Sequence, residues 1–291
     1  MKRIFRQWMN WLPASARLMV ETGVLLVLQR YLFLLKADRP RLSATLQGKL
    51  QQDLLRQVAT RGFAIVPDFK SAEWCEQARA EVLRAMSSSD LTTRHVEDVR
   101  VFGIESLSPA AREFASDPML HALACKYAAS SEILLFCMAN RVEYRDGAAH
   151  GSGGEWHRDS FKRELKAMLY LTDVQHTDGP LSIVSESHRL GRIAGDTARL
   201  AGRKKGDFIS SVTATRLGDA GAYLGQGRQG RTVALTARQG SLLVFDGSTI
   251  HTGLLPEPGG AARLAFTNYY VTQRDAASIR AYYAPLVKLN S

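Results

Sequence analysis

Cysteine is scarce, with only Cys75, Cys125 and Cys137 in 291 residues. An odd number without a CxxC spacing builds neither a disulfide framework nor a thiolate zinc site, so a cytoplasmic chain is expected. Proline is also sparse, 9 residues against 23 glycines, and with 45% hydrophobic and 23% charged residues the chain is too apolar and too mixed to be disordered or fibrous. Internal repeats and flexible linkers are lacking, which argues for one main core. A long uncharged apolar run is missing too. Leu18 to Leu35 comes nearest, but Glu21, Gln29 and Arg30 interrupt it, whereas a membrane span needs about 20 nearly uncharged residues. No small-residue cleavage pattern follows that stretch, so no signal peptide is expected.

Acidic residues are outnumbered. The net charge is +10, and residues 1–41 carry eight basic side chains against Glu21 and Asp38, which places +6 of the excess there. Ile4, Phe5, Trp8, Met9 and Leu12 recur at helical spacing between Lys2, Arg3 and Arg6, and Pro13 ends the pattern. Two readings of this basic, apolar helical extension (1–41) stand: packing on the domain, or peripheral association with an anionic membrane surface. Nucleic acid is not expected as a partner, because the aromatic residues interleaved with arginine that single-strand binders use for base stacking are missing.

From residue 42 to 291 the pattern predicts one domain. Arg61 to Phe69 reads as a short buried strand, Ser71 to Met86 as a helix with a capping start, and Ser108 to Ser130 as two helices divided at Asp117-Pro118. Strand-like runs then dominate: Asn140–Arg145, Lys166–Val174, Pro180–Val184, Arg231–Arg238, Ser241–Phe245 and Arg263–Thr272. Helices first and many short strands later predict a mainly β fold, an antiparallel sandwich or barrel with flanking helices. Ala198 to Gly230 reads as an insertion over one mouth of the barrel, and its Arg199, Arg203, Lys204 and Lys205 point to an anionic substrate, small or lipid-linked.

The chemistry centres on Glu155-Trp-His-Arg-Asp159. In a strand, residues two apart face the same way, so His157 and Asp159 can offer an imidazole and a carboxylate to one ion while Arg158 points away. Non-haem Fe(II) sites add a second histidine, and His251, after an apolar strand and the turn at Asp246-Gly247, can supply it. HxD is common by chance. A second copy, His176-Thr-Asp178, has turn composition, and its side chains are expected to splay into solvent. Gly225 to Gly230 matches GxGxxG but precedes a strand-like run, so it is read as a loop. His95, His121, His150 and His188 are read as structural.

The order of these features resembles the phytanoyl-CoA dioxygenase family of Fe(II)/2-oxoglutarate-dependent oxygenases, from about Gly62 to Tyr270. Arg61-Gly-Phe-Ala-Ile-Val-Pro67 is similar to its opening strand, Trp156-His-Arg-Asp159 to its WHxD, Asp178-Gly-Pro-Leu through His188 to its central hairpin, and Arg263 lies twelve residues after His251 on an apolar strand. The resemblance implies a double-stranded β-helix (jelly-roll, cupin-like) core, Fe(II) held by His157, Asp159 and His251, and Arg263 gripping the far carboxylate of 2-oxoglutarate. It also implies use of O2, release of succinate and CO2, and hydroxylation of an unactivated C–H bond. Thr252 and Tyr144, with Asn140, are further candidate contacts for the cosubstrate. Gly253 stands where the family often has a hydroxyl residue, Met168 where it often has an aromatic, and Glu186 where it usually has glycine. Two other readings stay open: a metal-dependent cupin that does not use 2-oxoglutarate, and a non-catalytic membrane-associated binding protein.

Overall fold

The computed structural model describes residue 20 and residues 48–87, 92–94, 98–148, 151–193, 195–196, 231–273, 276–277 and 280. The basic extension apart from Val20, the 198–230 insertion, His95 and His150 lie outside the described residues.

Helix α1 (Lys49–Arg61) ends at Gly62, whose φ of 92° is the left-handed conformation that lets the chain turn straight into β1 (Phe63–Val66). Helix α2 (Ala72–Ser87) follows, with Ser71 Oγ accepting the Trp74 amide at its start. After β2 (Thr93–Arg94) and β3 (Asp98–Phe102) come α3 (Pro109–Ala115) and α4 (Pro118–Ala128). Each begins with proline at its first turn behind a capping side chain, Ser108 and Asp117 respectively. The remaining strands are β4 (Glu132–Val142), β5 (Leu165–Tyr170), β6 (Leu181–Val184), β7 (Thr232–Ala234), β8 (Leu242–Asp246), β9 (His251–Gly253) and β10 (Arg263–Thr272).

Among the described residues these strands form two antiparallel sheets, one in the order β1-β8-β5-β10-β4-β3-β2 and one in the order β7-β6-β9. The large sheet is covered on both faces. Even-numbered residues of β10 and odd-numbered residues of β5, such as Leu264, Phe266, Ala167 and Leu169, join Leu54, Val58, Val82, Phe114 and Leu120 of the helices in one core. The alternate residues face the small sheet, where Met168, Tyr170, Ala265 and Phe245 pack with Leu181, Ile183 and Leu235 in a second. That second layer fills only part of the space between the sheets. The rest is the cavity.

Several elements depart from the sequence reading. Helix α1 and strands β2, β3 and β9 are additional, and β4 begins at Glu132 and ends at Val142, so Tyr144 lies beyond the strand's end.

Candidate active site

Strand β9 pairs with β6 on one side. On the other, His251 exchanges both backbone hydrogen bonds with His157, at 2.9 and 3.0 Å. The Asp159 amide, two residues on, donates to Gly247 O at 2.8 Å. The segment carrying the WHxD residues is therefore held extended against the edge of the small sheet, and His157 and Asp159 share a face. The ligating atoms of His157, Asp159 and His251 lie within 4.8 Å of one another.

Backbone carbonyls set the state of both imidazoles. His157 Nδ1 lies 2.7 Å from Glu155 O and His251 Nδ1 lies 2.8 Å from Thr249 O. A carbonyl only accepts, so each Nδ1 carries a proton and each Nε2 is the ring nitrogen turned to the cluster. His251 Nε2 stands 3.3 Å from Asp159 Oδ2, and His157 Nε2 stands 3.6 Å from Oδ1. Lys166 Nζ, from β5, lies 2.6 Å from Asp159 Oδ2. Burial raises the Asp159 carboxyl, but the Lys166 ammonium, reinforced by His251 and His157, outweighs it and holds the group well below the usual carboxylate range. Two imidazoles presenting Nε2 and one ionised carboxylate make a donor set that suits a borderline divalent ion such as Fe(II).

A cavity of about 340 Å³ runs from this cluster along the inner face of the large sheet to Arg263 at its far end. Only 2% of Arg263 is exposed. Its Nη1 donates to Gly179 O and its guanidinium bonds to the Tyr170 hydroxyl, while Nε is buried without a hydrogen-bond partner. Burial pulls the guanidinium below its ordinary value, and Tyr170 and Asp98 oppose that pull. A buried fork with an unused donor fits a carboxylate partner. Asn140 Oδ1 and Thr267 Oγ1, also lining the cavity, are likewise buried without partners. Thr267 was not legible in advance: its only signal is the inward position, level with Met168 and Met138, that the strand register assigns it.

Two of the expected cosubstrate contacts are not brought to this cavity. Thr252 turns its hydroxyl to the backbone, 2.7 Å from Gly154 O and 3.1 Å from Gly253 O. Tyr144 is 40% exposed and does not line the cavity. At Gly253 a Cβ would meet Ser152 O at 2.7 Å, so the glycine-rich segment 151–154 occupies the space a hydroxyl side chain would need. Glu186 adopts φ 64°, left-handed backbone that explains glycine as the usual residue there. Arg189 and Arg231 pair with its carboxylate at 2.8 and 3.1 Å.

The second HxD is a turn clamp. His176 is exposed, and Asp178, contrary to the expectation of a splayed side chain, is buried and accepts from the amides of Gln175 and Ala261, each at 2.7 Å. Arg158 does point away from the cluster, into a buried ion pair with Asp196 at 2.9 Å. The ring Nε2 atoms of His121 and His188 sit 2.8 and 2.9 Å from Glu132 O and Ala59 O, structural roles both.

Comparison with known proteins agrees with this geometry. The phytanoyl-CoA dioxygenase (PhyH) family matches residues 58–254. Curated relatives include the ectoine dioxygenase of Nocardia farcinica, 25% identical over 78% of this chain and 81% of that protein. The ectoine dioxygenase of Halomonas elongata is 26% identical over 81% of this chain and 74% of its own. Among solved structures, the epimerase SnoN in complex with Fe3+, alpha ketoglutarate and nogalamycin RO superposes with a TM-score of 0.58 at 19% identity, covering 77% of this chain and 84% of that one. The alpha ketoglutarate dependent carbocyclase SnoK gives 0.55 at 15% identity, covering 79% and 90%. These likenesses show the jelly-roll core expected of the sequence. With the family match spanning well over half of its length, the chain belongs to the phytanoyl-CoA dioxygenase family of iron- and 2-oxoglutarate-dependent oxygenases.

Proposed function

We propose that the enzyme hydroxylates an unactivated C–H bond of a small, anionic substrate, with His157, Asp159 and His251 as the iron ligands and Arg263 as the anchor for 2-oxoglutarate. The observation that carries the reading is one cavity with the three-residue cluster at one end and the buried, incompletely partnered Arg263 at the other. Iron with 2-oxoglutarate supplies, when bound, an oxidant strong enough for such a C–H bond. The protein's own contribution is placement. Backbone carbonyls fix both imidazoles, β10 aims Arg263 along the cavity, and Asn140 and Thr267 offer polar contacts between the two ends.

The size and charge of the cavity speak to the substrate. About 340 Å³ lies at the lower end of the range for small-molecule sites, and 2-oxoglutarate takes part of it. What remains suits a small molecule or one end of a lipid-linked one. Arg100, Lys166 and Arg263 line it against Asp159 alone, with Asp98 behind Arg100, and that balance favours an anion. The relatives named above act on ectoine, which makes compact zwitterions and carboxylates the first compounds to try. Peripheral membrane association rests on the +6 carried by residues 1–41. Its test is salt-dependent sedimentation with anionic vesicles, lost in a chain starting at Arg41. No described helix is long and apolar enough to cross a membrane.

The deciding experiment is iron-dependent succinate release from 2-oxoglutarate against a panel of small carboxylates, phosphates, glycolipids and acyl-CoAs, with product mass as second readout. A substrate that gains one oxygen supports the reading. Absence of 2-oxoglutarate turnover with iron present would return it to a cupin using no 2-oxoglutarate, and a rearranged product of unchanged oxygen count would overturn hydroxylation.

A further inference from the structure

We propose that Lys166 is a built-in counter-cation for Asp159, holding the carboxylate in ligating position without metal and opposing the metal's charge once it enters. The inference rests on the metal-site reading above.

Two imidazole Nε2 atoms and the Asp159 carboxylate converge in this cluster. With each Nδ1 proton committed to a backbone carbonyl, both Nε2 atoms face the Asp159 oxygens at 3.3 and 3.6 Å. A carboxylate held ionised in so enclosed a place is stabilised by a cation beside it. Lys166 stands in that position. Its side chain leaves β5 on the inner face, between register neighbours Phe245 of β8 and Tyr269 of β10. The residue is 7% exposed, its Nζ stands 3.9 Å above the Tyr269 ring, and it lies 2.6 Å from Asp159 Oδ2. The inward residues that follow on the same strand, Met168 and Tyr170, are uncharged, so a lysine here is not a general property of this wall.

Two consequences have opposite sign. Without metal, loss of the ammonium strips Asp159 of the cation paired with it at 2.6 Å, and the protein is less stable. With metal, loss of the ammonium removes a positive charge beside the cation's ligand, and the metal binds more tightly. A lysine that merely packed against Tyr269 would alter stability equally with and without metal.

The test measures Mn(II) binding, from the electron paramagnetic resonance of the free ion, together with thermal unfolding midpoints with and without Mn(II), for the full chain, Lys166→Met and Lys166→Arg. Lys166→Met should unfold at lower temperature without metal, bind Mn(II) more tightly by on the order of tenfold, and show a larger metal-induced rise in midpoint. Lys166→Arg, which keeps the charge, should follow the parent in all three. A Lys166→Met protein that folds only with Mn(II) would support the proposal, and one that fails to fold even with saturating Mn(II) would overturn it. Unchanged or weaker Mn(II) affinity in Lys166→Met would overturn it while leaving the metal site intact. Failure of the parent chain to bind Mn(II) would instead remove the metal-site reading itself.

Discussion

Replacing Arg263 with lysine keeps the charge at the proposed cosubstrate end of the cavity and removes the fork. In the parent, one Nη is committed to Gly179 O, the Tyr170 hydroxyl contacts the guanidinium, and Nε remains without a partner. Two parallel donors can thus meet an incoming carboxylate while the group stays tied to the wall. Lysine ends in a single ammonium nitrogen without the planar fork, so it forfeits at least one charge-assisted hydrogen bond, about 1.5–3 kcal/mol. That corresponds to about one to two decades in 2-oxoglutarate affinity. The assay is calorimetric titration of the anaerobic, Mn(II)-loaded protein with 2-oxoglutarate, backed by KM from succinate release. Mn(II) affinity should not change, because Arg263 lies at the opposite end of the cavity from the ligand cluster. A general loss of folding is separated from loss of the anchor by the rise in unfolding midpoint that 2-oxoglutarate produces, which should shrink in the variant. Undiminished 2-oxoglutarate affinity would refute the argument and transfer the anchor to another cation in the cavity, with Arg100 the first to test.

Asp159→Ala or His251→Ala should abolish iron-dependent 2-oxoglutarate decarboxylation with the circular dichroism spectrum retained, while His176→Ala should do neither. The reverse pattern would place the metal elsewhere. Asp178→Ala should raise KM for 2-oxoglutarate several-fold at little cost in kcat and lower the unfolding midpoint. Asp178→Asn should recover part of both, since the amide keeps one accepting oxygen. Burial pushes the Glu105 carboxyl above its ordinary value although the Cys137 amide donates to it at 2.9 Å. A raised folded-state pKa means that its contribution is fully present below the unfolded value and lost as pH rises through the folded one. Denaturant midpoints measured upward from pH 4.5 should therefore fall less steeply in Glu105→Gln than in the parent, and equal slopes would show that this carboxyl is not the group responsible.

Much of the fold was legible because local signals and packing agree. Pro118 behind Asp117 divides two helices just where composition places the break, and the apolar runs of β1, β8 and β10 are strands with both faces covered. Strand β3 escaped because its pattern is inverted: Arg100 lines the cavity with Asp98 paired behind it, while Val99 and Val101 join the helix-side core, so the charged positions are the inner ones. The first half of β4, Ile133 to Met138, is apolar without alternation and carries no mark of where a strand should start. Helix α1 was missed for the opposite reason, since only Gln51, Leu54 and Val58 are buried along thirteen residues. Of the site, the convergence of His157, Asp159 and His251 on a cavity that also reaches Arg263 was legible through their order along the chain. Lys166 and Thr267 were not, because their meaning depends on register: a lysine in a strand-like run looks like a solvated position until its neighbours across the sheet are Phe245 and Tyr269.

The two HxD sequences show what the letters alone leave undetermined. Around His157 the chain is pinned by exchange of hydrogen bonds with His251 and by the Asp159 amide on Gly247 O, so the backbone is extended and residues two apart face together. Around His176 it forms a 3-10 turn, His176–Asp178, in which residues two apart diverge by about 120°. Asp178 then turns inward and His176 outward. The carboxylate that cannot join a metal site instead accepts backbone donors on both sides of a chain crossing. One is the Gln175 amide of its own turn, the other the Ala261 amide two residues before Arg263. Gly179, next to it, offers the carbonyl that holds Arg263 Nη1, and Gly260 has no room for a side chain because a Cβ would lie 2.3 Å from Thr177 O. The second motif thus serves the other end of the same cavity. One HxD presents its imidazole and carboxylate to a single cluster because its backbone is straight, and the other sets the entry of the strand that carries Arg263, the proposed 2-oxoglutarate anchor, because its backbone is coiled.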